Sequence, residues 1–215
     1  PDNKYLKLAR NAGKYITSQV EIFFQLCPAE IVGITGANGK STTTSLTAHL
    51  LEAGKRKVWL GGNIGNRPLL EILDRIEPND IVVLEISSFQ AEQLAASKQA
   101  PYISLITNLT PNHLDRHGTF KEYCKAKEAL FKYQQLDPIR PAVSIFNAED
   151  KITTEWYARY KKENDRTCIT FSVDDVEDSF KKRFKLAGRM NISNLSAALK
   201  IANHLEIPDD RLADA

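Results

Sequence analysis

Residues 35 to 43 read Thr-Gly-Ala-Asn-Gly-Lys-Ser-Thr-Thr, and their types and order suit the holding of a polyphosphate. They follow the apolar run Ile31, Val32, Gly33, Ile34 and lead into residues 45 to 53, Ser-Leu-Thr-Ala-His-Leu-Leu-Glu-Ala. This predicts a buried strand, a turn of small residues and the first turn of a helix. Consecutive backbone N–H groups in such a turn, with the helix N-terminus behind them, form a concavity for phosphate oxygens. Lys40 would reach the outer phosphates, and the Ser41 hydroxyl would ligate Mg²⁺. The common spacing Gly-x4-Gly-Lys-Ser requires glycine at position 34, which is Ile34, so the loop is a shorter variant. Gly-Lys-Ser at a helix start has no packing reason to exist. The stretch is therefore read as a nucleoside triphosphate site.

Three further residues could take part in the same chemistry. Glu85 ends the apolar run Ile81, Val82, Val83, Leu84, where a carboxylate is costly unless something pairs with it. Mg²⁺ would serve, as with the strand-end acid of other nucleotide-hydrolysing proteins; a salt bridge is the alternative. His113 lies in the polar run 108–117, a loop after a strand, as either a ligand or a structural residue. Its neighbours Asp115 and Arg116 could pair with each other. Lys127 falls on a helix expected over 120–136. At about 100° per residue, Phe120, Tyr123, Cys124, Leu130 and Phe131 share one face with Lys127 at its middle, while Lys121, Lys125 and Lys132 lie opposite. Such a lysine either snorkels or has a task that needs a lowered pKa, and the residues alone leave both open.

The elements that must position these groups alternate along the chain. Strands are expected at 31–35, 58–61, 81–87, 102–108, 142–146 and 168–171. Helices are expected at 41–53, 68–76, 89–96, 120–136, 148–162 and 191–205. Short apolar strands between amphipathic helices imply an α/β fold, a mostly parallel sheet with helices on both faces. Ligands of such sheets gather at the carboxyl ends of the strands. Residues 1–30 read as a connector, with a polar helix over 3–11 ending at Gly13 and a short apolar piece at 20–24. The lysine-rich segment 180–186 is expected to be a solvated edge strand.

Bulk properties narrow the classes. Lys and Arg number 29 against 27 acidic residues, a net +2, so no strong field points to nucleic acid or an anionic membrane. No apolar run is long enough to span a bilayer. Cys27, Cys124 and Cys168 are far apart and in no metal-ligand spacing, as expected of reduced thiols in a cytoplasmic protein. A chain that opens on Pro1 is expected to be an excerpt of a longer one.

Residues 36–43, the run Gly-Gly-Asn-Ile-Gly at 61–65, Glu-Ile-Ser-Ser-Phe-Gln at 85–90 and the stretch 108–117 together resemble the Mur ligase family, in order, over residues 31 to 200. The resemblance implies a P-loop-type central ATP-binding domain at 31–206. The tail of an N-terminal uridine-nucleotide domain would precede it at 1–30, and the start of a link to a C-terminal domain would follow at 207–215. The 61–65 and 85–90 runs point to the members that add D-glutamate to UDP-N-acetylmuramoyl-L-alanine through an acyl phosphate, in cytoplasmic peptidoglycan precursor synthesis.

Carried over by motif, Ala37, Asn38, Gly39, Lys40, Ser41, Thr42 and Thr43 would bind ATP, with Asn191 and Asn194 near the adenosine. Ser41 and Glu85 would hold one Mg²⁺ and His113 a second. Lys127, matched through Tyr123 and Ala126, would carry a CO₂-derived carbamate and join the metal site. Asn63, Ser87 and Gln90 would face the muramoyl substrate. Two positions depart from the family pattern: Asn112 stands where an acid precedes the histidine, and Met190 replaces a histidine before Asn191. The rival readings are a ligase of the same family adding another amino acid, an ATP-gated interaction module and a small-molecule kinase.

Overall fold

Runs rich in Val, Ile and Leu, bounded by turn residues, line up side by side as buried parallel strands require. The computed structural model describes residues 3–64 and 68–215; Gly65 of the 61–65 motif lies outside them. The strands are β1 (Glu30–Thr35), β2 (Val58–Gly62), β3 (Ile81–Glu85), β4 (Ile103–Ile106), β5 (Ala142–Asn147) and β6 (Arg166–Phe171). They form one sheet in the order β2-β3-β1-β4-β5-β6, with every pairing parallel. The helices are α1 (Lys4–Asn11), α2 (Gln19–Leu26), α3 (Lys40–Ala53), α4 (Ser88–Ala96), α5 (Leu114–His117), α6 (Phe120–Lys132), α7 (Lys151–Tyr160), α8 (Asp178–Arg183), α9 (Arg189–His204) and α10 (Asp209–Asp214).

Alternation along the strands divides the core between the two faces. Ile31, Val82, Leu84 and Phe146 meet Phe23, Leu94, Leu130 and Trp156 from α2, α4, α6 and α7. Val32, Val83, Leu105 and Ile145 meet Leu50, Leu195, Ala198 and Leu212 from α3, α9 and α10. The expected fold class, strands and most helices are therefore present. No helix among the described residues is long and apolar enough to cross a membrane.

Three local expectations are corrected. Residues 180–186 are not an edge strand: Asp178–Arg183 is helical. Phe180 and Phe184, four residues apart, both pack on the α3/α9 side of the core, the spacing of a helix face. The helix expected at 68–76 is two 3₁₀ turns, Leu69–Glu71 and Leu73–Arg75. Its buried Leu69 and Ile72 are three apart, which suits the three-residue 3₁₀ repeat. α6 stops at Lys132 because Gln134 turns inward, donating to the carbonyls of Pro101, Tyr102 and Val143 at 3.1, 2.8 and 2.8 Å. Cys27, Cys124 and Cys168 are free and half-buried.

Candidate nucleotide site at the carboxyl edge of the sheet

The order in which strands are added switches sides at β1, which lies between β3 and β4, and the loops leaving the carboxyl ends of these parallel strands open a crevice there. The first loop, between β1 and α3, is shaped by glycines at which any side chain would be both strained and crowded. Gly36 has φ +143° and a Cβ there would lie 1.9 Å from Thr107 Oγ1. Gly39 has φ +81° and a Cβ there would lie 2.3 Å from Asn194 Oδ1.

The loop after β4 is bound to the first. Asn38 N donates to Asn108 Oδ1 (3.0 Å), Asn108 Nδ2 returns a bond to Asn38 O (2.9 Å), and Thr107 Oγ1 donates to the same carbonyl (2.7 Å). Ala37 N donates to Asn108 O (2.9 Å). Two amides of the loop thus serve its own shape. Thr107, and the part that Asn108 plays within the 108–117 run, escaped the sequence reading because these roles exist only once β4 lies beside β1.

At the head of α3, Ser41 Oγ donates to Glu85 Oε2 at 2.5 Å, and Asn63 Nδ2 donates to Glu85 Oε1 at 2.9 Å. Ser41 and Asn63 are exposed while Glu85 is buried. Its carboxylate is thus satisfied by neutral donors, and no salt bridge holds it among the described residues. Lys40 Nζ donates to Ala37 O at 2.9 Å, curling back over the loop.

Lys127 does not snorkel. Only 1% of its surface is exposed, and its Nζ donates to Thr35 Oγ1 at 3.2 Å and lies 4.9 Å from the Tyr123 ring centre. The Thr35 hydroxyl in turn donates to Ile86 O at 2.8 Å. Burial pushes the Lys127 ammonium down to about 7; the charge of Lys40 pushes the same way, and Glu85 and Cys124 oppose it. The charges of Lys40 and Glu85 are therefore both felt at the Lys127 amine. Thr35, the last residue of β1, is a member of this group that spacing did not single out.

His113 starts α5 in the left-handed region (φ 51°), exposed, with its ring 5.3 Å from that of Phe89. No hydrogen bond or ion pair joins it to Ser41, Glu85 or Lys127 among the described residues. Arg116 pairs with Glu92 at 3.5 Å, not with Asp115. Ser87 and Gln90 form a capping box at the start of α4: Gln90 N donates to Ser87 Oγ (3.2 Å) and Ser87 N to Gln90 Oε1 (2.9 Å). Across the loop, Thr43 Oγ1 donates to the buried Asn194 Oδ1 (3.3 Å), Asn194 Nδ2 to Asn191 Oδ1 (3.3 Å), and Asn191 Nδ2 to Ala187 O (2.8 Å). Met190 is exposed beside them.

The arrangement combines a phosphate-type loop, a hydroxyl–carboxylate pair of hard oxygen donors and a buried amine near neutrality. Among the described residues no three His, Cys, Asp or Glu side chains cluster as a metal site. Residues 34–184 match the family described as Mur ligase middle domain. The chain is 39% identical over 208 residues to the UDP-N-acetylmuramoylalanine--D-glutamate ligase of Clostridium botulinum (strain Kyoto / Type A2), a match covering 91% of this chain and 44% of that protein. It thus spans under half the length of such curated relatives. Among solved structures it is similar to MurF from Acinetobacter baumannii, with TM-score 0.67, 17% identity, and coverage of 91% of this chain and 47% of that one. It is also similar to MurF ligase from Thermotoga maritima in complex with ADP, with TM-score 0.65, 19% identity, and coverage of 93% and 53%. These two show the shared fold, and the family match over most of the chain, joined to the 39% identity, shows that the chain belongs to the Mur ligase family.

Proposed function

We propose that this chain is the ATP-binding core of a cytoplasmic ligase that joins D-glutamate to UDP-N-acetylmuramoyl-L-alanine. The observation that carries the reading is the Ser41–Glu85 pair at the mouth of the phosphate loop, with the buried amine of Lys127 in its field. The choice of amino acid is supported by the 39% identity to relatives of that name.

In this reading an oxygen of the substrate carboxylate attacks the γ-phosphorus of ATP. The bond from that phosphorus to the bridging oxygen breaks, and ADP leaves with the electron pair. The D-glutamate amine then attacks the acyl carbon, phosphate departs, and the amine gives up a proton to leave an amide. Bringing a carboxylate to a polyphosphate is opposed by charge, and Lys40 offsets it by turning from Ala37 O to the outer phosphates. Ser41 and Glu85 would hold Mg²⁺, whose preference for hard oxygen donors they meet. When bound, the ion would neutralise phosphate charge. Asn63, which also bonds Glu85, would face the muramoyl substrate with Ser87 and Gln90, whose capping box fixes the start of α4. Asn191 and Asn194 would lie toward the adenosine.

Near neutral pH a large fraction of Lys127 is the free amine, the form that adds CO₂: an N–C bond forms, a proton leaves, and a carbamate anion results. That anion with His113 would hold a second Mg²⁺, where an ammonium would be repelled. The test uses the full-length protein. ADP release is expected to require both UDP-N-acetylmuramoyl-L-alanine and D-glutamate, and release indifferent to D-glutamate would refute the assignment. Lys127→Ala is expected to abolish turnover; normal turnover in that variant would remove the carbamate from the mechanism.

A further inference from the structure

His117 buries its whole side chain at a point where three segments of the candidate site meet. Its Nε2 shares a 2.9 Å hydrogen bond with Ser88 Oγ. Glu92 Oε1 is 3.1 Å from Nδ1 but off the line of a hydrogen bond. The ring stacks on Phe89 (centres 5.4 Å apart, planes 5°) and meets Tyr123 edge-on (5.4 Å, 73°). Ser88, Phe89 and Glu92 belong to the start of α4, which follows directly on Glu85 and the Ile86–Ser87 link. Tyr123 is the ring against which the Lys127 amine lies. His117 itself closes the single turn that begins at His113, whose carbonyl accepts from the amides of Arg116 (3.1 Å) and His117 (3.0 Å). A packing role could be met by an apolar ring. A hydrogen-bonded imidazole instead fixes rotation and depth, because a buried polar atom tolerates few positions.

We propose that His117 is a positioning residue, which sets the turn carrying His113 against the head of α4 and the Lys127-bearing α6. The inference rests on the ligase reading above. His117→Leu in the full-length protein is expected to lower kcat roughly 10- to 100-fold, as a misplacement of about an ångström does. KM for ATP should change less than about three-fold, because Asn108 and Asp150 hold the other end of the loop independently; Leu109 N donates to Asp150 Oδ2 at 2.7 Å. His117→Gln, whose amide can keep the bond to Ser88, should recover most of the lost kcat.

A second readout does not depend on turnover. With Mg²⁺ and ATP added, the ring signals of His113 in NMR spectra should shift in the wild type and in His117→Gln, as direct ligation requires, and stay near their ligand-free positions in His117→Leu. A folded His117→Leu protein with wild-type kcat and a wild-type shift overturns the proposal. If that variant does not fold, Ser88→Ala decides in the same way, and unchanged kcat and shift overturn it. A wild type with neither D-glutamate-dependent turnover nor a His113 shift overturns the ligase reading itself, and the role of His117 with it.

Discussion

Lys127 keeps an amine where water does not reach, and its titration therefore bears on folding. Unfolded, the group titrates near 10.5; folded, it titrates near 7. Between those values the unfolded chain binds the extra proton, so this group makes stability rise with pH across that window. Below about 7 both states are charged and the folded state bears the whole cost, on the order of a few kcal/mol. Lys127→Met, of similar volume and uncharged, should accordingly raise stability most at or below pH 7 in CO₂-free buffer. The gain should shrink toward zero near pH 10.5, as denaturant unfolding at several pH values would reveal. The lysine was legible in the sequence because its apolar face repeats with the helix turn. Whether the amine would snorkel or stay inside was not. That depends on Thr35 and Tyr123, which come to it from β1 and from its own helix face.

The strand–loop–helix unit from β1 to α3 could be read directly, since its glycines, lysine and hydroxyls are contiguous. Its fastening to the loop after β4 could not, because Asn108 and Asn38 are 70 residues apart in sequence. Asn108→Ala removes two side-chain bonds to Asn38, each worth about 0.5–1.5 kcal/mol and at the low end for exposed groups. Calorimetric titration with ATP should show a dissociation constant raised roughly 3- to 10-fold, with little change in melting temperature. An unchanged constant would mean that the loop keeps its form without this link. The corrected segment 178–184 teaches a related lesson: its lysines suggested a solvated strand, whereas Phe180 and Phe184 carried the helical spacing that the core selected.

The whole molecule is a sheet whose two faces are sealed by separate clusters, so damage to either should be felt throughout. Phe131 is fully buried and its ring centre lies 4.9 Å from Phe146 and 6.0 Å from Trp156. Phe131→Ala should cost about 3–5 kcal/mol, much of the 5–15 kcal/mol that holds a typical domain together. A fall in the denaturant midpoint of matching size would check it. The sheet order itself followed from alternation of strands and helices only as far as the parallel class; which strand neighbours which was settled by packing. Asn194 adds a temporal corollary. It supports Gly39 and bonds Thr43, 151 positions earlier in the chain. During synthesis on the ribosome, the anion cradle must therefore wait, unfinished, until α9, whose Asn194 follows Thr43 by 151 positions, has emerged and docked. Nascent chains stalled before that point should show no protection by nucleotide.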